Sequence, residues 1–385
     1  MALFNNKNNQ ESTSADPKNL IAAIEQNRVE VPQMKESLNY KFVNYGADNQ
    51  YPQYLVELSK TSALHRTLLD NKAKLTAGSD ILVNDMPLND WLNTLSGSQA
   101  IRVQNLLFNS KYPLRDWIKK TAYDYQLFGA YTTEVIWNKD FEYVKVMKHI
   151  DTSKIRSGVM NKDGEIDKYY YSRNWSSYNT KDMTPISVFD QSNDKDYNQI
   201  IYKRDYYPNL NYYTEPSYIG GLTYINLDSE LGLFNLSHIQ NGLNPGLIFK
   251  IPYTFKSAEE KQAFMIEFFN HFKGAKNNKN PLILAKNGEA EWTVEKVEVP
   301  DFDAQLIALG DFILQQLIFA HKITNGALVG LLVPGKLGGT NAEELAFSTS
   351  QFNKFVIEPA RLMLEETIED VLRTHGLNTK VKIID

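Results

Sequence analysis

Residues 302–319 read FDAQLIALGDFILQQLIF, a stretch of helical length. In an α-helix its apolar side chains cover nearly the whole circumference, and a helix that is apolar all round must be buried all round. In a chain of 385 residues, neighbouring subunits are a natural source of the missing cover. We therefore predict a helix from Pro300-Asp301 to about Lys322. We expect subunit contacts along it at these positions: Phe302, Leu306, Leu309, Phe312, Ile313 and Leu317.

This apolar helix is not predicted to span a membrane. Between Leu306 and Ile323 it is interrupted by Asp311, by two glutamines and by His321, which a bilayer span would have to bury at its centre. The segment Met1–Asp16 is polar and lacks the apolar core of a signal peptide, so we expect a disordered tail there.

A small α/β insert is predicted upstream of the apolar helix. Before it comes another periodic helix, Ile225–Ile239, which ends at Asn241-Gly242. The parts predicted for the insert are strand Leu247–Ile251, helix Ser257–Phe272 with the capping box Ser257-Ala258-Glu259-Glu260, and strands Leu282–Ala285 and Trp292–Val299.

A glycine-rich loop, Gly326–Gly339, is predicted downstream of the apolar helix. It leads to a last long helix, roughly Ala342–Arg373, in which Pro359 should produce a kink. A short strand, Lys380–Ile384, finishes the chain.

The first half of the chain predicts an α+β region. Its hairpin strands are Tyr131–Trp137 and Tyr143–Met147, and the polar stretch Arg173–Asn198 is typical of a long exposed excursion. The other predicted elements are a long or broken helix from Tyr51 to Gly78, a helix Leu114–Leu127 closed by Gly129, and strands Lys168–Tyr171 and Gln199–Lys203.

The residue inventory argues against an active site. The chain has no cysteine, which excludes disulfides and thiolate chemistry and fits synthesis in a reducing cytoplasm. Its six histidines are scattered without metal-ligand spacing, and acidic pairs such as Glu343-Glu344 lie on predicted helix faces. We predict no catalytic residues, no metal and no cofactor. The net charge of −5 means that any contact with DNA must be local or weak.

One segment resembles a phosphate-binding loop. Gly330–Leu337 matches a Walker A loop at both glycines and at Lys336, but Leu337 stands where Ser or Thr must bind magnesium. Gly338-Gly339 also separates the segment from the helix whose N-terminus would hold phosphates. A flexible loop between two helices is therefore the preferred interpretation.

A basic segment lies in the insert. The region 274–287 carries no acidic residue, and a solvated loop and a contact with DNA phosphate or an acidic partner both remain open. Its lysines, with the one at its border, are Lys273, Lys276, Lys279 and Lys286.

Several short strings along the chain are weak evidence one by one but specific in their order. They are Tyr45-Gly46-Ala47-Asp48-Asn49-Gln50-Tyr51-Pro52, Leu127-Phe128-Gly129-Ala130-Tyr131 before Glu134-Val135-Ile136-Trp137, His149-Ile150-Asp151-Thr152-Ser153-Lys154-Ile155-Arg156, Gln240-Asn241-Gly242-Leu243-Asn244-Pro245-Gly246, Gln316-Leu317-Ile318-Phe319-Ala320-His321-Lys322-Ile323, Leu328-Val329-Gly330 and Leu337-Gly338-Gly339-Thr340-Asn341-Ala342-Glu343-Glu344-Leu345. In these strings and in the order of its parts, the chain resembles phage portal proteins from about Tyr45 to Leu372.

This resemblance implies an α+β portal fold with an α/β wing, a two-helix stem flanking a small α/β clip, a tunnel loop and a long kinked wing helix. The implied boundaries are a tail at 1–37, wing at 38–224, first stem helix at 225–244, clip at 245–299, second stem helix at 300–325, tunnel loop at 326–341, wing helix at 342–375 and a short strand at 376–385, with the crown minimal or absent.

The function implied by the resemblance is a dodecameric ring channel at one capsid vertex, through which double-stranded DNA is packaged and ejected. The implied partners are the terminase large subunit, a head-to-tail adaptor and the major capsid or scaffold protein, with assembly in the bacterial cytoplasm. The DNA-facing residues would be Leu331, Leu332, Val333, Lys336 and Leu337, and the partner-facing residues would be the four lysines of the basic segment. The alternatives are a nucleotide-dependent enzyme using Gly330–Lys336 and another ring-forming head-completion protein.

Overall fold

The structure is a computed structural model that describes most of the chain. The described residues are 34–39, 41–177, 183–191, 196–240, 247–251, 256–257, 259–260, 262–264, 266–267, 282–285, 293–296, 302–330 and 342–385. Helices and strands are mixed along them, so the predicted α+β class is confirmed. The helices are α1 Tyr51–Thr61, α2 Ala63–Ala77, α3 Leu88–Thr94, α4 Gly97–Leu107, α5 Leu114–Phe128, α6 Leu222–Gln240, α7 Phe302–Ala320, α8 Ala342–Phe352 and α9 Glu358–Arg373. The strands are β1 Glu36–Leu38, β2 Val43–Tyr45, β3 Asp80–Val83, β4 Met86–Pro87, β5 Ala130–Trp137, β6 Val144–Ile150, β7 Ile155–Ser157, β8 Lys168–Tyr171, β9 Thr184–Val188, β10 Asn198–Arg204, β11 Leu247–Ile251, β12 Leu282–Ala285, β13 Thr293–Lys296 and β14 Val381–Ile384.

The largest sheet has six strands in the order β6-β5-β10-β9-β8-β7. The predicted hairpin is present as the antiparallel pair β5 and β6. The exposed excursion predicted for Arg173–Asn198 is wrong, because β9 lies inside the sheet between β8 and β10, and Trp175 and Met183 are buried. β9 reads TPISV, with only two large apolar residues and a proline, and its pairing with two neighbours holds it in place.

Helices α2 and α5 pack together over this sheet. The predicted broken helix divides at Ser62, whose side chain accepts a hydrogen bond from the backbone of His65 and so starts α2. α5 ends at Gly129, which has a left-handed φ of 70°. A Cβ at Gly129 would lie 2.9 Å from the Glu215 carbonyl, so glycine is required there. Trp117 of α5 donates to Thr133 of β5 at 3.0 Å and joins helix to sheet.

The predicted insert forms a three-stranded sheet between α6 and α7 in the sequence. Its order is β12-β11-β13, with β11 parallel to β12 and antiparallel to β13. The capping box is also present, since Ser257 accepts from the backbone N–H of Glu260 at 3.2 Å. The third strand is described over Thr293–Lys296, and the rest of its predicted range lies outside the described residues.

The last long helix is interrupted by a π-helical turn, Asn353–Ile357, between α8 and α9. The turn lies immediately before Pro359, which lacks a backbone N–H and whose ring would clash with the carbonyl of an ordinary helix. The wider π-helical turn just upstream accommodates the proline. The helix is therefore irregular at the place where a kink was predicted from Pro359. The final strand β14 pairs antiparallel with β3, as an added strand of a second small sheet.

Candidate interaction surface

The side of α7 that faces the chain is decided by packing against α6 and α2. Ile313 and Leu317 are fully buried, and Phe312 meets Tyr224 of α6 edge to face, with ring centroids 5.8 Å apart. A Cβ at Gly310 would lie 3.8 Å from the side chain of Leu231, which is ordinary contact. Of the predicted contact residues, Ile313 and Leu317 therefore lie in the core of this chain.

Several large apolar side chains of α7 are exposed away from its buried core. Ile307 is 67% exposed and Phe319 is 81% exposed, while Leu309 and Phe312 are exposed by 39% and 46%. Leu306 is half-buried, and the side chain of Phe302 lies outside the described residues. Several large apolar side chains exposed on one helix indicate a surface that meets a partner. Sequence reasoning missed Ile307 and Phe319 because apolar residues surround the helix and their spacing does not say which side faces out.

Helix α6 continues this apolar surface. Leu233 and Leu236 are 60% and 52% exposed, and Leu227 is 39% exposed. The start of α6 is held by Asp228, whose carboxylate accepts from the Ser62 hydroxyl at 2.6 Å at the N-terminus of α2. The outward sides of α6 and α7 together form what we call the stem surface. Its members are Leu227, Leu233 and Leu236 on α6 and Ile307, Leu309, Phe312 and Phe319 on α7.

A buried basic cluster ties the end of α7 to α2. Nδ1 of His65 lies 3.0 Å from Nε2 of His321, and the ring of Tyr218 stacks on His321. Burial, together with the charge of Lys72, lowers the pKa of His65 to about 3 and holds the pKa of His321 well below its usual value. Burial also lowers the pKa of Lys72 to about 7. The histidine pair is therefore neutral near pH 7. No sequence signal joins these histidines, which are 256 positions apart.

Two of the portal-like strings meet at a buried arginine. Arg156 is fully buried, and its guanidinium donates to Asn49, to Gln53 and to the carbonyls of Ser153 and Ile155. Every N–H of the side chain has a partner, which is the condition for burying a charge without a carboxylate beside it. These hydrogen bonds of Arg156, which we call the Arg156 node, join the segment before α1 to the segment after β6.

The remaining predicted site residues lie outside the described residues. They are the tunnel-loop residues Leu331, Leu332, Val333, Lys336 and Leu337 and the clip lysines Lys273, Lys276, Lys279 and Lys286. Before the loop, the described residues end at Gly330, which has a left-handed φ of 73°. After the loop, they begin again at Ala342, where α8 starts. These residues remain predictions.

Two chemical possibilities find no support within the described ranges. No group of three or more metal-binding side chains occurs in that part of the chain. No helix among the described residues is long and apolar enough to cross a membrane.

The fold is that of phage portal-like proteins. No family model and no curated protein sequence matches the chain. Among solved structures, it is similar to a chain in the neck of a native gene transfer agent particle computed with C12 symmetry, with 12% identity, a TM-score of 0.55 and coverage of 86% of this chain and 84% of that one.

Two further structures share the fold. In the neck of an empty gene transfer agent particle computed with C6 symmetry, the similar chain has 12% identity and a TM-score of 0.57, with 85% of this chain and 83% of that one covered. An HK97-family phage portal protein from Corynebacterium diphtheriae has 10% identity and a TM-score of 0.50, with coverage of 85% and 95%.

Proposed function

We propose that the chain is a portal-type structural protein that assembles into a closed ring at a capsid vertex of a virus-like particle. Double-stranded DNA passes through the ring during packaging and ejection, and the ring docks the terminase large subunit and later the head-to-tail adaptor. The observation that carries the proposal is the exposed stem surface on a portal-like fold.

The exposed stem surface favours assembly of several copies over a stable monomer. Removing apolar surface from water contributes about 25 cal/mol per Å² and is the main driving force for stable association. The contacts of a ring are heterologous, so each subunit uses two different surfaces, and a suitable rotation closes the ring. A ring with twelve copies is proposed by analogy with the C12 symmetry of a similar particle neck.

The electrostatics suit a channel through which DNA slides. Each neutralised phosphate adds a counterion-release term to affinity, so a chain with net charge −5 avoids holding DNA tightly. We place Leu331, Leu332, Val333, Lys336 and Leu337 at the narrowest point of the channel, where apolar side chains contact a duplex without reading it.

We assign the clip lysines to docking. Lys273, Lys276, Lys279 and Lys286 form a basic segment that suits acidic partner surfaces, and charge at such a rim changes association rate more than assembly. Reversing the charge of Lys276 and Lys279 is expected to leave ring assembly intact and to weaken terminase docking or adaptor attachment. Normal packaging and tail joining in that double variant would exclude the docking role.

Ring formation has a matched test. Ile307→Glu places a charge on the stem surface, and we expect it to abolish the rings seen for the unaltered protein by mass photometry and class-averaged electron microscopy. Ile101→Glu is the control, because Ile101 on α4 is also strongly exposed, at 62%, and lies outside the stem surface. Monomers from the unaltered protein under packaging conditions, or rings from the Ile307 variant, would contradict the proposal.

A further inference from the structure

The last long helix carries an exposed apolar stripe. Phe347 and Phe355 are each 66% exposed and Leu362 is 55% exposed, although Phe352 and Ile357 on the same helix are buried. We call Phe347, Phe355 and Leu362 the helix stripe. Three large apolar side chains on one exposed edge indicate contact with another surface.

The π-helical turn shapes the stripe. A π turn holds more residues than an α turn and so rotates the residues that follow it. Phe355 in this turn is exposed to the same extent as Phe347 on α8. Glu358 lies between Phe355 and Leu362, is exposed, and forms no ion pair with any residue that the structure describes. The stripe therefore presents Glu358 among apolar side chains, together with Lys354, whose ammonium lies 5.7 Å from the centre of the Phe355 ring.

A second surface is a groove of about 720 Å³ between the start of α6 and the end of α7. Phe319 and Tyr224 supply its apolar walls, and Gly220 leaves its floor open. Lys322 lies at the groove, is exposed, and forms no ion pair within the described part of the chain. The groove is mostly apolar and carries the positive charge of Lys322, which also acts on Asp205 and Lys72 of its own chain.

A hydrogen bond connects the groove to the helix that carries the stripe. Thr324, at the edge of the groove, donates its hydroxyl to the carbonyl of Ser348 on α8 at 2.9 Å. Ser348 follows Phe347 of the stripe, and α8 continues through the π turn into α9. A constant angle between two complementary surfaces is what a closed ring needs, since it sets the rotation from one copy to the next.

We propose that the helix stripe of one copy docks in the groove of the next copy, with Glu358 of the first facing Lys322 of the second. The inference rests on the proposed ring and names two surfaces that meet in it. A second copy is favoured over other occupants because both surfaces are apolar, because Glu358 and Lys322 carry opposite charges, and because the neck of a similar particle has C12 symmetry. The pairing is also heterologous: each bound copy leaves a groove at one end and a stripe at the other until the ring closes.

Cross-linking tests the pairing directly, because the chain contains no cysteine. We expect a variant with both Phe319→Cys and Phe355→Cys to give, on oxidation, a ladder of covalent oligomers up to the full ring on a non-reducing gel. A mixture of the two single variants should stop at covalent dimers. The control carries Ile101→Cys with Phe355→Cys and should give no ladder.

The outcomes separate this inference from the proposed function. A ladder supports the pairing. Rings visible by electron microscopy without a ladder would overturn the pairing and leave the ring proposal standing. A cross-link that only changes the mobility of the monomer would show that the same chain fills its own groove, and would also overturn the pairing. Absence of rings from the unaltered protein would contradict the proposed function itself.

Charge exchange provides a second test. Lys322→Glu and Glu358→Lys should each weaken assembly roughly two- to fivefold per interface, as expected for one exposed ion pair replaced by like charges. The double variant should recover the assembly of the unaltered protein. Concentration-dependent mass photometry measures both effects. Equal losses in the single and double variants would show that these two charges do not face each other.

Discussion

The Nε of Arg156 donates a hydrogen bond to Oδ1 of Asn49 at 2.5 Å across 107 positions of sequence. Both residues belong to strings that carry the likeness to portal proteins. Burial lowers the pKa of Arg156 to about 10, so the side chain is still charged at neutral pH. Its cost of desolvation is offset only while all of its donors stay paired.

Arg156→Lys is expected to lower the stability by about 2–4 kcal/mol, because an ammonium cannot replace the planar set of donors and leaves Oδ1 of Asn49 with only the Tyr45 backbone N–H as a partner. Thermal or urea unfolding monitored by circular dichroism measures the change. The control is Arg173→Lys, since Arg173 is exposed and should tolerate the exchange. Equal melting temperatures for the two variants would mean that the node contributes little.

The histidine pair predicts loss of stability in acid. Both His65 and His321 have pKa values lowered by burial, so below about pH 6.5 the unfolded chain binds more protons than the folded chain. Each histidine then removes on the order of 1.4 kcal/mol per pH unit, and for His65 this continues down to about pH 3.

Lys72 acts in a different range of pH from the histidines, whereas burial raises the pKa of Asp205, which partly opposes the loss of stability in acid. Lys72, Lys322 and Asp205 face the cluster. Because burial lowers the pKa of Lys72 to about 7, its effect falls above pH 7, where stability rises with pH. Urea unfolding between pH 5 and pH 8 should show a shallower acid slope for the His65→Asn, His321→Asn double variant. If the free energy of unfolding depends on pH equally in both proteins, groups other than these two histidines cause the acid sensitivity.

The carboxylates of α9 hold the final strand. Glu365 accepts from the backbone N–H of Ile383 at 2.7 Å, and Glu369 accepts from Val381 at 3.0 Å. Replacing both glutamates by alanine should free β14 and cost about 1–3 kcal/mol per bond. Hydrogen exchange at Ile383 and Val381 measures the release. Glu366→Ala, on the exposed side of the same helix, should leave the exchange slow.

Deleting Leu331–Leu337 should preserve the ring and impair DNA retention or translocation in packaged particles. The flanking helices α7 and α8 carry the proposed contacts, whereas the deleted residues are assigned to the channel. The readouts are ring formation by electron microscopy and packaged DNA after nuclease treatment. Normal DNA retention in the deletion variant would contradict the assignment of this loop to the channel.

Lys336→Ala should change no nucleotide affinity, because Leu337 lacks the hydroxyl that binds magnesium in a Walker loop. Calorimetric titration with magnesium-ATP is expected to give a flat trace for both proteins. A saturable micromolar curve that disappears in the variant would favour the nucleotide-dependent alternative.

The elements with strong local patterns were predictable from sequence. Gly129 ends α5 as predicted because its left-handed conformation suits glycine, and Pro359 marks the irregular turn of the last helix because it lacks an N–H. The hairpin of β5 and β6 follows from runs of β-branched and aromatic residues around a short turn. These signals act within a few residues, so they are visible in a single sequence.

Contacts between distant segments were decided only by the tertiary structure. β9 is held by two neighbouring strands and lacks a strong pattern of its own, and His65 meets His321 because α2 packs on the end of α7. On α7 the sequence determined that an apolar helix must find cover on every side. Packing against α6 and α2 then placed Ile313 inward and left Ile307 exposed. In a helix with apolar residues all round, the sequence does not determine which side is buried, because packing against the neighbouring helices decides it. The side that remains exposed is the one that needs a partner.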